Sequence, residues 1–208
     1  EDEVMQSGTS YSFVINDILG NLIEPYEINV GTVSLSIEIG AGWNWFSINV
    51  AGDDISPTAV LASLEPALLD QIKGQNGFAQ YYGPVVEGCV AGVSCGWVGF
   101  DEMSVTEMYM IDISNAGTLE YAGVPVNPAA TPIEIGVGWN WIGYLPQSDL
   151  AINDALGTVE AALLDQIKSQ FGFAQYYGPV VEGCEAGVSC GWVGFAEMSP
   201  GLGYMLDV

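Results

Sequence analysis

GFAQYYGPVVEGCVAGVSCGWVGF at residues 77–100 returns as GFAQYYGPVVEGCEAGVSCGWVGF at residues 172–195, with Val90 against Glu185 the one difference in 24 positions. Working outward, the match widens to residues 37–113 against 133–208. IEIGAGWNWFSINV opens the first copy and IEIGVGWNWIGYLP the second, at an offset of 96 that falls to 95 after one deletion. Units this long exceed solenoid repeats, so they read as duplicated domains rather than a stacked array. A weaker echo stands near the start, where Tyr11-Ser12-Phe13-Val14-Ile15 resembles Tyr109-Met110-Ile111-Asp112-Ile113 and Tyr204-Met205-Leu206-Asp207-Val208. The expected organisation is an acidic, flexible segment at 1–10, one unit over 11–113 and a second over 114–208, packed together and open to strand sharing.

Within each copy the pattern reads as antiparallel strands with one helix. SLSIEI at 34–39 alternates polar and apolar residues, as a half-buried strand does. In GWNWFSINV a period of two places Trp43 and Trp45 on one face and Phe46 and Ile48 on the other. Ser56-Pro57 supplies an N-cap and an N1 proline. Val60, Leu61, Leu64, Leu68, Leu69 and Ile72 follow at helical spacing. An amphipathic helix is therefore expected there, kinked or divided at Pro66 and free to run straight in the second copy, where Ala161 stands instead. FAQYY and YMIDI read as further strands, with a Gly-rich loop holding two cysteines between them. The fold class expected is mainly β (α+β): two homologous antiparallel β units, each with one amphipathic helix, related by internal duplication.

Charge narrows the function. The 208 residues carry 26 Asp+Glu against 2 Lys+Arg and no His, a formal charge of −24, while half of them are hydrophobic. The imbalance comes from missing bases, since only 13% of residues are charged. Without arginine no basic patch can neutralise phosphates, which excludes nucleic acid, and anionic membrane surfaces repel the chain. No apolar run approaches the about 18–20 residues that span a bilayer. EDEVMQSGTS at the start is acidic and polar, unlike a signal peptide, and an opening without Met is expected of a processed chain. With no imidazole, triads and His-metal sites cannot be built. No cofactor and no metal is expected, and an enzyme is the minority reading.

Few side chains remain as candidates. Lys73 and Lys168 share a repeat position at the end of the expected helix, where a cation complements the helix dipole and reaches Asp70 or Asp165. Both read as helix caps. Cys89/Cys95 and Cys184/Cys190 leave three options open: a disulfide within each loop, free packed thiols, or a shared four-cysteine zinc site whose usual spacing these pairs exceed. Asp53/Asp54 and Asp101/Glu102 are adjacent acids, but Leu150 and Ala196 replace Asp54 and Asp101 in the second copy. They read as solvated surface rather than a catalytic pair or a calcium loop.

Aromatics are the stronger signal. Core packing is the plain account of Trp43, Trp45, Trp139 and Trp141; a sugar-stacking platform or a protein interface are the others. GFAQYYGPVVEGC carries one carboxylate in thirteen residues, and interface cores are rich in aromatics and poor in charge. Self-assembly contacts are accordingly expected at Phe78, Gln80, Tyr81, Tyr82, Pro84 and Val85, and at Phe173, Gln175, Tyr176, Tyr177, Pro179 and Val180. Trp97 and Trp192 join the other four tryptophans as core or interface aromatics.

The order GWNW, amphipathic helix, FAQYYGP, GW-x-G, then G-Y-M-L before a terminal strand is similar to a repeat of bacterial cell-surface proteins. In tandem, within an acidic and base-poor chain, it resembles the diatom pyrenoid shell proteins. The resemblance covers about residues 37 to 208, and is looser where Thr106 and Met108 stand against Gly201 and Gly203. It implies a non-enzymatic building block that tiles laterally into a sheet around the Rubisco-filled pyrenoid, at its periphery in the chloroplast stroma, and supports carbon concentration. The implied partners are further copies of the chain and Rubisco matrix components. The competing reading is a secreted, β-rich carbohydrate-binding or adhesion module using surface Trp and Tyr.

Overall fold

Period-two patterning builds strands throughout the chain. The computed structural model describes residues 10–16, 22–29 and 31–208, the first two stretches as backbone only, so the expected acidic segment lies outside the described residues apart from Ser10. The protein is mainly β, in several antiparallel sheets. A hairpin of β1 (Ser10–Asn16) and β2 (Leu22–Asn29) comes first. The first repeat then contributes β3 (Val33–Ile39), β4 (Gly42–Ser47), β5 (Val50–Ala51), a single helical turn α1 (Pro57–Val60), β6 (Gln71–Gly74), β7 (Gly77–Tyr81), β8 (Trp97–Val98) and β9 (Met108–Ile113). After β10 (Gly117–Pro125) the second repeat supplies β11 (Trp139–Ile142), β12 (Leu150–Ala151), α2 (Ile152–Ala155), β13 (Gln166–Ser169), β14 (Gly172–Tyr176), β15 (Trp192–Gly194), β16 (Glu197–Met198) and β17 (Tyr204–Asp207).

Two five-stranded sheets dominate, in the orders β4-β9-β6-β7-β8 and β11-β17-β13-β14-β15. Position for position these orders correspond. The first sheet packs Phe46, Ile72, Trp97 and Ile111 into one core with Leu35 and Ile39 of β3 and Leu119 of β10. β10 lies between β3 and β5, so a strand that follows the first repeat closes it. The second core gathers Ile142, Tyr144, Leu156, Ile167, Trp192, Tyr204 and Leu206.

The GWNW motif starts each sheet through its asparagine. Asn44 accepts from the Gly40 amide at 2.9 Å and donates to the Gly40 and Gly42 carbonyls at 2.6 and 2.9 Å. Asn140 repeats the arrangement on Gly136 and Gly138. The turn needs φ of +88° at Gly42 and +90° at Gly138, which glycine adopts freely.

The expected long helices are replaced by single turns. Ser56 caps α1 as expected, its hydroxyl accepting from the Ala59 amide, but the helix ends at Val60. Pro66 is not the reason, because α2 ends as early with Ala161 in place of the proline. Ladder bonds win instead: the Leu69 amide donates to the Tyr81 carbonyl and the Tyr81 amide to the Asp70 carbonyl, both at 2.9 Å. The Asp70 carboxylate then fixes the turn, accepting from the Ala67 amide and from the amide and hydroxyl of Ser114. Leu68 and Leu69, expected on a buried helix face, are exposed.

Lys73 and Lys168 are correspondingly not helix caps. They lie inside β6 and β13, and the Asp70 carboxylate in the turn before β6 is taken up by Ala67 and Ser114. Each ammonium sits over a tryptophan ring instead: Lys73 Nζ is 4.5 Å from the Trp43 ring centre and Lys168 Nζ 4.1 Å from that of Trp139.

The two repeats meet through reciprocal contacts. Gln75, at the β6–β7 hairpin tip, accepts from the Trp141 amide at 2.7 Å and donates to the Trp139 carbonyl at 3.2 Å. Gln170, at the β13–β14 tip, does the same to Trp45 and Trp43 at the same distances. The Ser47 amide donates to the Gly201 carbonyl and the Gly143 amide to that of Thr106. An exchange of this kind is what a local two-fold relation produces. Each glutamine amide stands in for a neighbouring strand on an otherwise open edge.

Candidate interaction face

Register defines the outward face of each five-stranded sheet, since directly paired residues project to one side. On the first sheet one row runs Trp43, Asp112, Gln71, Gln80, Val98, and the next Trp45, Met110, Lys73, Phe78. On the second, the rows are Trp139, Asp207, Gln166, Gln175, Val193 and Trp141, Met205, Lys168, Phe173. All nine positions carry the same residue type in both copies. Phe78 is 60% exposed and Phe173 61%. Trp43 and Trp139 are partly exposed, with one ring face covered by lysine.

Local hydrogen bonds hold this face in shape. Gln80 Nε2 donates to the Leu69 carbonyl, and the exposed Tyr82 hydroxyl donates to Gln80 Oε1 at 3.1 Å. Gln175, Leu164 and Tyr177 repeat the set. The cysteine loop follows, and its sulfurs are bonded as Cys89–Cys95 and Cys184–Cys190. Pro84, Val85, Val86 and Val93 stand exposed on the first loop, and Pro179, Val180, Val181 and Val188 on the second.

The expected contact residues divide into two groups. Phe78, Tyr82, Pro84 and Val85, with Phe173, Tyr177, Pro179 and Val180, lie at the surface. Tyr81 and Tyr176 pack inward on Trp97 and Trp192, with ring centres 5.5 and 5.3 Å apart, and both of these tryptophans are 3% exposed. Gln80 and Gln175 are half-buried, as are Trp45 and Trp141.

The core is partly shared between the repeats: Phe46, Ile48, Leu64 and Ile111 stand against Ile142, Tyr144, Val159 and Leu206, while Leu61, Ile72, Ala79, Trp97, Met103 and Tyr109 match Leu156, Ile167, Ala174, Trp192, Met198 and Tyr204. Exposed apolar positions from 77 to 95 match their counterparts, with Val90 against Glu185 the exception. Packing accounts for the match of buried Ala79, Cys95 and Trp97 with Ala174, Cys190 and Trp192, but not for that of the exposed apolar positions.

The chemistry on offer is aromatic faces, amides, one ammonium and one carboxylate per sheet. Among the described residues no group of three His, Cys, Asp or Glu is placed to hold a metal ion. Burial pushes the Tyr109 and Tyr144 phenols up to about 12, away from any reactive range. Asp54 is held below the usual carboxylate range by the Ser56 amide.

Gln75 and Gln170 were invisible to composition and periodicity. The available signal is that glutamine persists at the hairpin tip while its neighbours change, Gly74-Gln-Asn76 becoming Ser169-Gln-Phe171. No family model, no curated protein and no solved structure matches the chain.

Proposed function

We propose that this chain is a non-enzymatic structural protein, built by duplication of one unit, whose copies associate laterally into a sheet or shell. The observation that supports it is the exposed apolar surface that the two repeats share residue for residue around Phe78, Tyr82, Pro84 and Val85, where packing imposes no match. A monomer seldom displays so many exposed apolar side chains twice in the same arrangement. Two similar patches on one protomer permit heterologous contacts that do not close, the geometry of filaments and sheets. The assignment to a pyrenoid shell around Rubisco in the plastid rests on the sequence resemblance alone.

Two disulfides speak for a second reading, because such bonds persist mainly in oxidising compartments. A secreted carbohydrate-binding or adhesion module would use Trp43 and Trp139, partly exposed and paired across the ladder with Asp112 and Asp207. Negative-stain microscopy through a salt and magnesium series, paired with a glycan-binding screen, separates the two. Sheets or tubes support the first. Uniform small particles that retain glycans overturn it and support the second.

A further inference from the structure

Two leucines hold backbone conformations that core packing does not explain. Among the described residues, Leu69 and Leu164 are the two non-glycine residues with positive φ, at +74° and +77°. Bulky L-residues rarely enter that region, because the Cβ crowds its own backbone, and glycine would relieve the strain. The two positions correspond in the repeats, as Leu68-Leu69-Asp70 and Leu163-Leu164-Asp165. Burial would offset the cost, yet Leu69 is 57% and Leu164 61% exposed, and the leucine before each is 68% exposed. Neither pair belongs to the core of its repeat.

Hydrogen bonds lock the strained turn in place. The Leu69 amide donates to the Tyr81 carbonyl at 2.9 Å, and the Leu69 carbonyl accepts from Gln80 Nε2 at 3.2 Å. Leu164 bonds Tyr176 and Gln175 at the same distances. The same glutamines accept from the exposed Tyr82 and Tyr177 hydroxyls. Leu68 Cδ2 lies 3.7 Å from where a Cβ on Gly83 would stand, and Leu163 Cδ2 the same distance from that of Gly178. Each leucine pair is therefore continuous with the Pro-Val-Val run that opens the cysteine loop. Backbone strain that its surroundings over-determine clusters at functional sites.

We infer that Leu68-Leu69 and Leu163-Leu164 are the anchors through which one copy of the chain seats on a second. Charge points to that occupant. Asp and Glu make up 26 of the 208 residues, one in eight, yet the 24 residues from 77 to 100 hold one acid and those from 172 to 195 hold two. A basic partner would be drawn by carboxylates, whereas a second copy at −24 is repelled by them. A face cleared of acids beside exposed leucines therefore suits a partner of the same charge. Two such anchors on one protomer let each copy meet two neighbours. The inference names the anchor of the lateral association proposed above and rests on that reading.

Replacing both strained residues in the full chain tests the anchor. Leu69→Gly with Leu164→Gly relieves the backbone and removes the side chain, so a role in the fold and a role in association pull apart. The variant should unfold at no lower urea concentration than the parent, while the protein concentration at which sheets first appear in negative-stain images rises by about tenfold or more. Leu69→Asn with Leu164→Asn, polar and tolerant of the left-handed region, should behave alike. Leu69→Met with Leu164→Met, apolar and strained, should assemble as the parent does. Sheets from the glycine variant at the parental concentration overturn the inference and leave lateral association standing without this anchor. A lower urea midpoint in the glycine and asparagine variants also overturns it, because the leucines would then serve the fold. A parent that never assembles overturns both readings.

Discussion

At the scale of single residues, tryptophan and its lysine define what each outward face presents. Lys73→Met and Lys168→Met remove an ammonium from Trp43 and Trp139 while keeping an apolar stem. Cation–π contacts at partly exposed sites contribute about 0.5–1 kcal/mol. Each variant should lose about that much stability in urea melts and shift tryptophan emission; no change in either would mean that the pairs are incidental. Tyrosine sets the alkaline limit. Tyr109 and Tyr144 titrate at about 12 when folded against about 10 when unfolded. The folded state therefore binds more protons between those values, and stability present below pH 10 is lost as pH rises toward 12. Unfolding followed by circular dichroism should coincide with phenolate absorbance from these residues. Phenolate signal completed near pH 10 with the fold intact would contradict the burial.

At the scale of elements, period-two strands were legible because alternation directly encodes which side faces the core: the strands expected over 34–39, 78–82 and 109–113 are found at Val33–Ile39, Gly77–Tyr81 and Met108–Ile113. The helix was not. Val60, Leu61 and Leu64 fit a helical period, yet turns can bury the same residues, and ladder bonds from Tyr81 and capping by Ser114 act across distances that periodicity does not see. Misplacing the helix misplaced Lys73. Of the aromatic residues expected at contacts, Phe78 and Tyr82 are exposed while Tyr81 packs inward on Trp97, since neighbours on a strand alternate sides. The hairpin-tip glutamines are the elements' coupling device. Gln75→Ala with Gln170→Ala removes four hydrogen bonds, each contributing about 0.5–1.5 kcal/mol net. Amide exchange should accelerate at Trp45 and Trp141, whose N–H groups lose their acceptor, while Trp97 stays protected. Equal protection in variant and parent would show that the tips do not hold the repeats together. Reduction of both disulfides should cost about 2 kcal/mol per short loop and leave the sheets intact.

At the scale of the whole molecule, apolar patches and net charge oppose each other. Copies carrying −24 repel, and the screening length is about 8 Å at physiological ionic strength. Association should therefore strengthen with salt and magnesium, since two lysines supply too few ion pairs to make it weaken. Phe78→Glu with Phe173→Glu adds charge at positions 60 and 61% exposed, so the fold should survive and the contacts should not. One measurement brings this together: negative-stain microscopy of the parent chain and this double variant across a series of salt and magnesium concentrations. Sheets or tubes that grow with ionic strength in the parent and vanish in a folded double variant are the predicted result. Uniform small particles of the parent under every condition, or sheets undiminished in the variant, would contradict a surface built for assembly.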